Sequence, residues 1–142
     1  MAVITERRYS SVIHPIHAVL LAGTIPLFLG AALSDWAYAS SYHIQWNNFA
    51  SWLIVGGLFF SGIALLFAIV DLCRASRRAP GIGMYVLMLL ATCVVGFFNA
   101  LWHARDAWAS MPTGMVLSII CALLACVATW MGFRARRIGG MK

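Results

Sequence analysis

The run IHAVLLAGTIPLFLGAALS, residues 16–34, holds no Asp, Glu, Lys or Arg. A helix rises about 1.5 Å per residue and the hydrocarbon core of a bilayer is about 30 Å thick, so some 20 apolar residues suffice to cross it. Three more runs have the same character: residues 49–70, 84–102 and 114–133. Composition points the same way. Of 142 residues, 63% are hydrophobic and only 10% charged, whereas soluble domains carry about 25% charged residues. The runs are continuous rather than alternating, which excludes a transmembrane barrel. The expected fold is an all-α membrane protein, one domain over residues 1–142, built as an antiparallel up-down-up-down bundle of four transmembrane helices.

The basic residues predict its orientation. Arg7 and Arg8 precede the first run, Arg74, Arg77 and Arg78 follow the second, and Arg134, Arg136, Arg137 and Lys142 follow the fourth. With both termini cytoplasmic, only Arg105 of the ten basic residues lies outside, as the positive-inside rule requires. The net charge of +6 is thus topological and attracts anionic lipid. Basic residues scattered over three short segments give no support to nucleic-acid binding. "ERRYS" and "GAALS" resemble the flanks of a signal peptide, but the first run is too long for one and Pro26 interrupts it. A spanning helix in a bacterial inner membrane is expected.

Trp36, Tyr38, Tyr42, Trp46, Trp52, Trp102 and Trp108 fall at the outer ends of the runs, and Tyr9, Tyr85 and Trp130 near the inner ends, as interfacial aromatics do. The segment "DWAYASSYHIQWNN" is expected to be a loop covering part of the outer mouth. Small residues recur every four positions at Gly114, Ser118, Ala122 and Cys126, and again at Gly57, Ser61, Ala64 and Ala68. Such stripes let helices approach closely; they suit packing within the chain first and a homo-oligomer second. Pro26 should free the carbonyl of Ala22, with Thr24 or a neighbouring helix to satisfy it. The four cysteines, 73, 93, 121 and 126, are read as buried, reduced thiols.

Ionisable groups near a bilayer core are costly and mark function by default. Here they sort into two layers roughly 30 Å apart: His14, His17 and Asp71 inside; Asp35, His43, His103 and Asp106 outside, with Asn99 slightly deeper. Pro15 suits the first turn of a helix, which makes His14 its cap. His14 and His17 lie on one side of that helix, so they cannot be opposite axial ligands of a single haem. Interfacial hydrogen bonding, to Asp71, loop backbone or lipid heads, is the plainer reading; the alternatives are a cofactor held by His14 or His17, as a metal ion or as haem with Met84 or Met88. In "NALWHARDAW", Asn99, His103 and Asp106 are spaced to share a helix face. His103 and His43 together form the minimum for a bis-imidazole haem b, or they bracket a quinone headgroup, or they tie the outer loop to the third helix. If a cofactor is held, His103 is its expected centre.

The set His14-Pro15-x-His17, Ile25-Pro26, "QWNNFASWL" (45–53), Asp71, "NALWHARDAW" (99–108) and "PTGMVLS" (112–118) resembles domain-of-unknown-function family 2231, small bacterial four-helix membrane proteins. The resemblance implies an inner-membrane protein. Some relatives are joined to Rieske iron–sulfur domains or encoded near sugar dehydrogenases, which associates the family with respiratory electron transfer. Two departures stand out: "PGIGM" replaces a histidine that many relatives carry at the start of the third helix, and Ala18 replaces a proline. The functional classes are therefore an accessory or electron-transfer subunit, interacting with haem b or quinone, of a respiratory or dehydrogenase system; and a cofactor-free membrane anchor or assembly subunit. Partners are the lipid bilayer and a periplasmic or membrane redox protein. No nucleophile–base pair or metal-ligand set suggests a self-contained enzyme, and no polar pore stripe suggests a transporter.

Overall fold

The computed structural model describes residues 13–74 and 81–138, the side chains of 135–138 excepted. Its elements are α1 (Pro15–Ser41), α2 (Ile44–Cys73), α3 (Ile82–His103), a single turn α4 (Ala107–Ser110) and α5 (Thr113–Ile138). No strand occurs among the described residues. Four helices are long and apolar enough to cross a membrane, Pro15–Ser41, Ile44–Cys73, Ile82–His103 and Thr113–Arg134. Arg7, Arg8, Tyr9, Arg77, Arg78 and Lys142 lie outside the described residues, as do the side chains of Arg136 and Arg137 and most of the segment joining α2 to α3.

α1 begins as its sequence dictates, with Pro15 in the first turn and His14 as the N-cap. It then runs seven residues beyond the apolar stretch. The expected outer loop is almost entirely helix: only Tyr42 and His43 separate α1 from α2. Apolarity alone misplaced this boundary, because nothing in "DWAYAS" opposes a helix once Asp35 has a partner inside the bundle. Tyr42 supplies the sharp turn by adopting a left-handed conformation (φ 55°), uncommon for a residue with a Cβ.

Buried positions follow a heptad rhythm on every long helix. They are 17, 21, 24, 28, 31, 35 and 38 on α1; 47, 50, 54, 57, 61, 64 and 68 on α2; 85, 89, 92, 96, 99 and 103 on α3; and 114, 118, 121, 125, 128 and 132 on α5. Spacings of three and four keep one seam turned to the bundle axis, the geometry of helix bundles. α1 packs on α2 and α5, and α3 on the same two, which leaves α1 and α3 at opposite corners. Both small-residue stripes are largely turned inward: Gly114, Ser118 and Ala122 are buried, as are Gly57, Ser61, Ala64 and Ala68, while Cys126 faces out.

Glycine makes the fit. A Cβ on Gly57 would stand 2.8–3.0 Å from three carbons of the Phe28 ring, and one on Gly96 would meet Leu58 at 2.9 Å and Phe28 at 3.5 Å. Phe28, fully buried, therefore crosses from α1 to α3 at mid-height. Thr24 and Thr129 both donate to the carbonyl of Leu21, at 2.7 and 3.2 Å. The oxygen they serve is one residue before the expected Ala22. Exposure of the cysteines also corrects the expectation: Cys121 is buried and Cys93 half-buried, but Cys73 and Cys126 are exposed.

Gly57→Ala should lower the thermal midpoint in detergent, because a ring enclosed on all sides has to move; overpacking of this kind costs about 1–3 kcal/mol. Gly62→Ala, with nothing within 4 Å of its Cβ, should leave stability unchanged or raise it by up to ~1 kcal/mol.

Candidate functional site

The polar side chains of the seam meet at two levels. At the first, the start of α1 lies beside the start of α3. Nε2 of His17 and the hydroxyl of Tyr85 share a hydrogen bond of 2.8 Å, and the His17 ring stacks on Phe67 of α2 with centroids 5.4 Å apart. Both partners are buried, whereas His14 is exposed and stacks on the same Phe67 at 6.1 Å. Asp71 is half-buried near the end of α2 and engaged in an interaction of its own. The partner of His17 at the start of α3 is thus a tyrosine, a residue that the sequence suggested only as an interfacial ring.

The second level holds Asp35, His103, Ser118 and Asn99, on three helices. His103 Nε2 lies 2.8 Å from Asp35 Oδ1, and His103 Nδ1 lies 3.0 Å from the carbonyl oxygen of Asn99. Ser118 donates to Asp35 Oδ2 at 2.5 Å and accepts from Asn99 Nδ2 at 2.9 Å. Asp35 and Asn99 have 0% exposure and His103 5%. Gly114 makes room for the imidazole: a Cβ there would stand 2.9 Å from its Cε1.

Chemistry assigns the protons. A carbonyl oxygen only accepts, so Nδ1 of His103 carries its hydrogen. The contact between Nε2 and Oδ1 then needs one more proton, on either atom. Imidazolium with carboxylate, or imidazole with carboxylic acid, gives the same count and a net charge of zero. A neutral, fully hydrogen-bonded pair is the form in which a carboxyl group tolerates burial.

Of the residues that the sequence singled out, this layer gathers Asp35, Asn99 and His103. His43 and Asp106 stay outside it, both exposed. His43 is the N-cap of α2, and Asp106 caps α4 by accepting from the Trp108 backbone at 3.4 Å. Sequence reasoning missed Ser118 as a member of the site. It was visible only as one small residue in a packing stripe, although its place in the first turns of α5 sets it at the depth of His103. Among the described residues, two buried side-chain atoms have no hydrogen-bond partner, Asn99 Oδ1 and Trp102 Nε1. The Cys121 thiol neighbours Asn99 without giving Oδ1 a well-formed bond. Among the described residues, no three His, Cys, Asp or Glu side chains assemble into a metal-binding group.

As folded here, His103 has no ring nitrogen free for axial ligation of haem. Both ring nitrogens of His103 are engaged within the protein, and His43 is exposed away from it. At the other level, Nε2 of His17 is held by Tyr85. A model of predicted membrane proteins, DUF2231, matches residues 13–140 of the chain. The chain belongs to this family. It is a multi-pass integral membrane protein. No curated protein and no solved structure matches it.

Ser118→Ala should destabilise the bundle by about 1–3 kcal/mol, since it strips a donor from buried Asp35 and an acceptor from buried Asn99 at once. Tyr85→Phe should cost a similar amount at the other level. Unfolding in detergent, followed by circular dichroism, measures both.

Proposed function

We propose that the protein is an accessory anchor subunit of a respiratory or dehydrogenase system in the bacterial inner membrane, and that its histidines brace the bundle rather than bind haem. The observation that carries this reading is the full engagement of His103, with both nitrogens and its counter-charge inside one closed network. Helices alternating up and down, with both termini cytoplasmic, go with it. In support, the start of α1 meets the start of α3 and the end of α5, and nine of ten basic residues flank, in the sequence, the helix ends that this topology puts in the cytoplasm. The outer face then presents Trp36, Trp46, Trp52 and Trp108, all exposed, to headgroups and to a periplasmic or membrane redox partner.

Reporter fusions at Ser41 and Ala109 should read periplasmic, and fusions at Arg77 and the C-terminus cytoplasmic. A periplasmic reading at Arg77 overturns the topology. Detergent-purified protein should show no Soret band. His103→Ala should insert and lose about 3–5 kcal/mol, the usual effect of stranding one member of a buried charged pair. A Soret band present in the wild type and abolished by His103→Ala would replace this reading with the haem one.

A quinone-interacting role has one specific observation in its favour: near the same end of α3, Trp102 Nε1 is a buried donor and Asn99 Oδ1 a buried acceptor, each without a hydrogen-bond partner. Quinone that co-purifies with the wild type but not with Trp102→Phe would make that role the better reading.

A further inference from the structure

We propose that the Asp35–His103 pair is a proton-operated clasp, which holds the ends of α1 and α3 together in mild acid and releases them as the surrounding solution becomes alkaline. Geometry carries the proposal. α1 and α3 stand at opposite corners of the bundle, and at this end the hydrogen bond of 2.8 Å between Asp35 and His103 joins them directly, while Ser118 links them through α5. The bond exists only while one proton lies between Nε2 and Oδ1.

The proton count of the two states determines the response. Closed, the pair holds one proton at these two atoms. Opened and hydrated, the groups titrate near their ordinary values of about 4 for the carboxyl and about 6.5 for the imidazole. The open state therefore holds two protons below about pH 4, one between about pH 4 and 6.5, and none above. Stability rises with pH where the open state binds more protons and falls where it binds fewer. The clasp is firmest from about pH 4 to 6.5, and above that each pH unit raises the opening constant about tenfold.

Other titratable groups around the clasp do not produce this alkaline flank. α1 adds only the buried phenol of Tyr38 one turn on and α5 the thiol of Cys121, and phenols and thiols as a class are weaker acids than an imidazolium. α2 brings Asn47 and no charged group, apart from exposed His43 at its cap. Arg105 and Asp106, beyond the end of α3, are exposed. The His17–Tyr85 pair at the far end needs no such extra proton, because a neutral imidazole and a phenol can hydrogen-bond in either direction. In the proposed topology the clasp faces the periplasm, so an acidified exterior would tighten the outer mouth. That last step rests on the orientation, but the chemistry does not.

Hydrogen exchange of the full-length protein in detergent, read by mass spectrometry between about pH 6.5 and 8.5 after correction for intrinsic rates, tests the clasp within the window where the imidazole titrates. Peptides covering 31–41 and 99–104 should lose protection about tenfold per pH unit, while 17–24 and 85–92 should not. Asp35→Asn keeps the geometry, with its amide donating to Nε2 and its oxygen accepting from Ser118, and should abolish the alkaline loss. His103→Gln should do the same by donating to the carboxylate, and it serves if Asp35→Asn fails to fold. Flat protection in the wild type, or an alkaline loss that survives in a folded variant, overturns the proposal.

Discussion

A carboxyl group in a membrane-spanning helix has no water to turn to, so whatever keeps it soluble in the bundle has to come from other helices. Asp35 sits in this position, and its two oxygens draw on α3 and α5 separately. The requirement propagates. His103 has to point inward and be aimed by the Asn99 carbonyl. Position 114 has to be glycine, or the ring is displaced. Ser118 has to sit where a packing stripe alone would accept any small residue.

The same reach recurs along the bundle with one register. His17 meets Tyr85, Phe28 lies over Gly96, and Asp35 meets His103, so each α1 residue finds a partner 68 positions later. The two polar rungs are 18 residues apart on both helices, with Gly114 and Gly132 set against them at the same interval on α5. Eighteen residues make five helical turns, roughly 27 Å, close to the thickness of the hydrocarbon core. The separation of the two polar levels thus comes close to that thickness. The middle is left to Leu21, Phe28, Leu89 and small residues.

The four spans were legible because lipid imposes length and apolarity on each of them. The family was legible because its polar motifs stand at recognisable places. What apolarity hid was the inner seam. In water the seam of a bundle is its most hydrophobic stripe; here the outward faces are equally apolar, so glycine, alanine, serine and a few polar residues mark the inside instead. Asp35 looked like the end of a span because it is charged, although α1 continues for six residues past it. His43 and Asp106 looked like members of the site because they share its depth, yet both side chains are exposed, and Asp106 is spent capping a helix. Depth can be counted along a sequence, but the direction in which a helix turns a side chain depends on neighbours that arrive from elsewhere in the chain.

That arrival takes time. His103 is made 68 residues after Asp35, and Ser118 follows it at 83. At about 5–20 residues per second, the first helix waits on the order of 4–17 s at the ribosome before its carboxyl group can meet both partners. A charged helix that enters the membrane alone has to be sheltered during this interval, by the insertion machinery or by remaining close to the aqueous surface. α5, made after α1, thus completes the burial of the Asp35 carboxyl group.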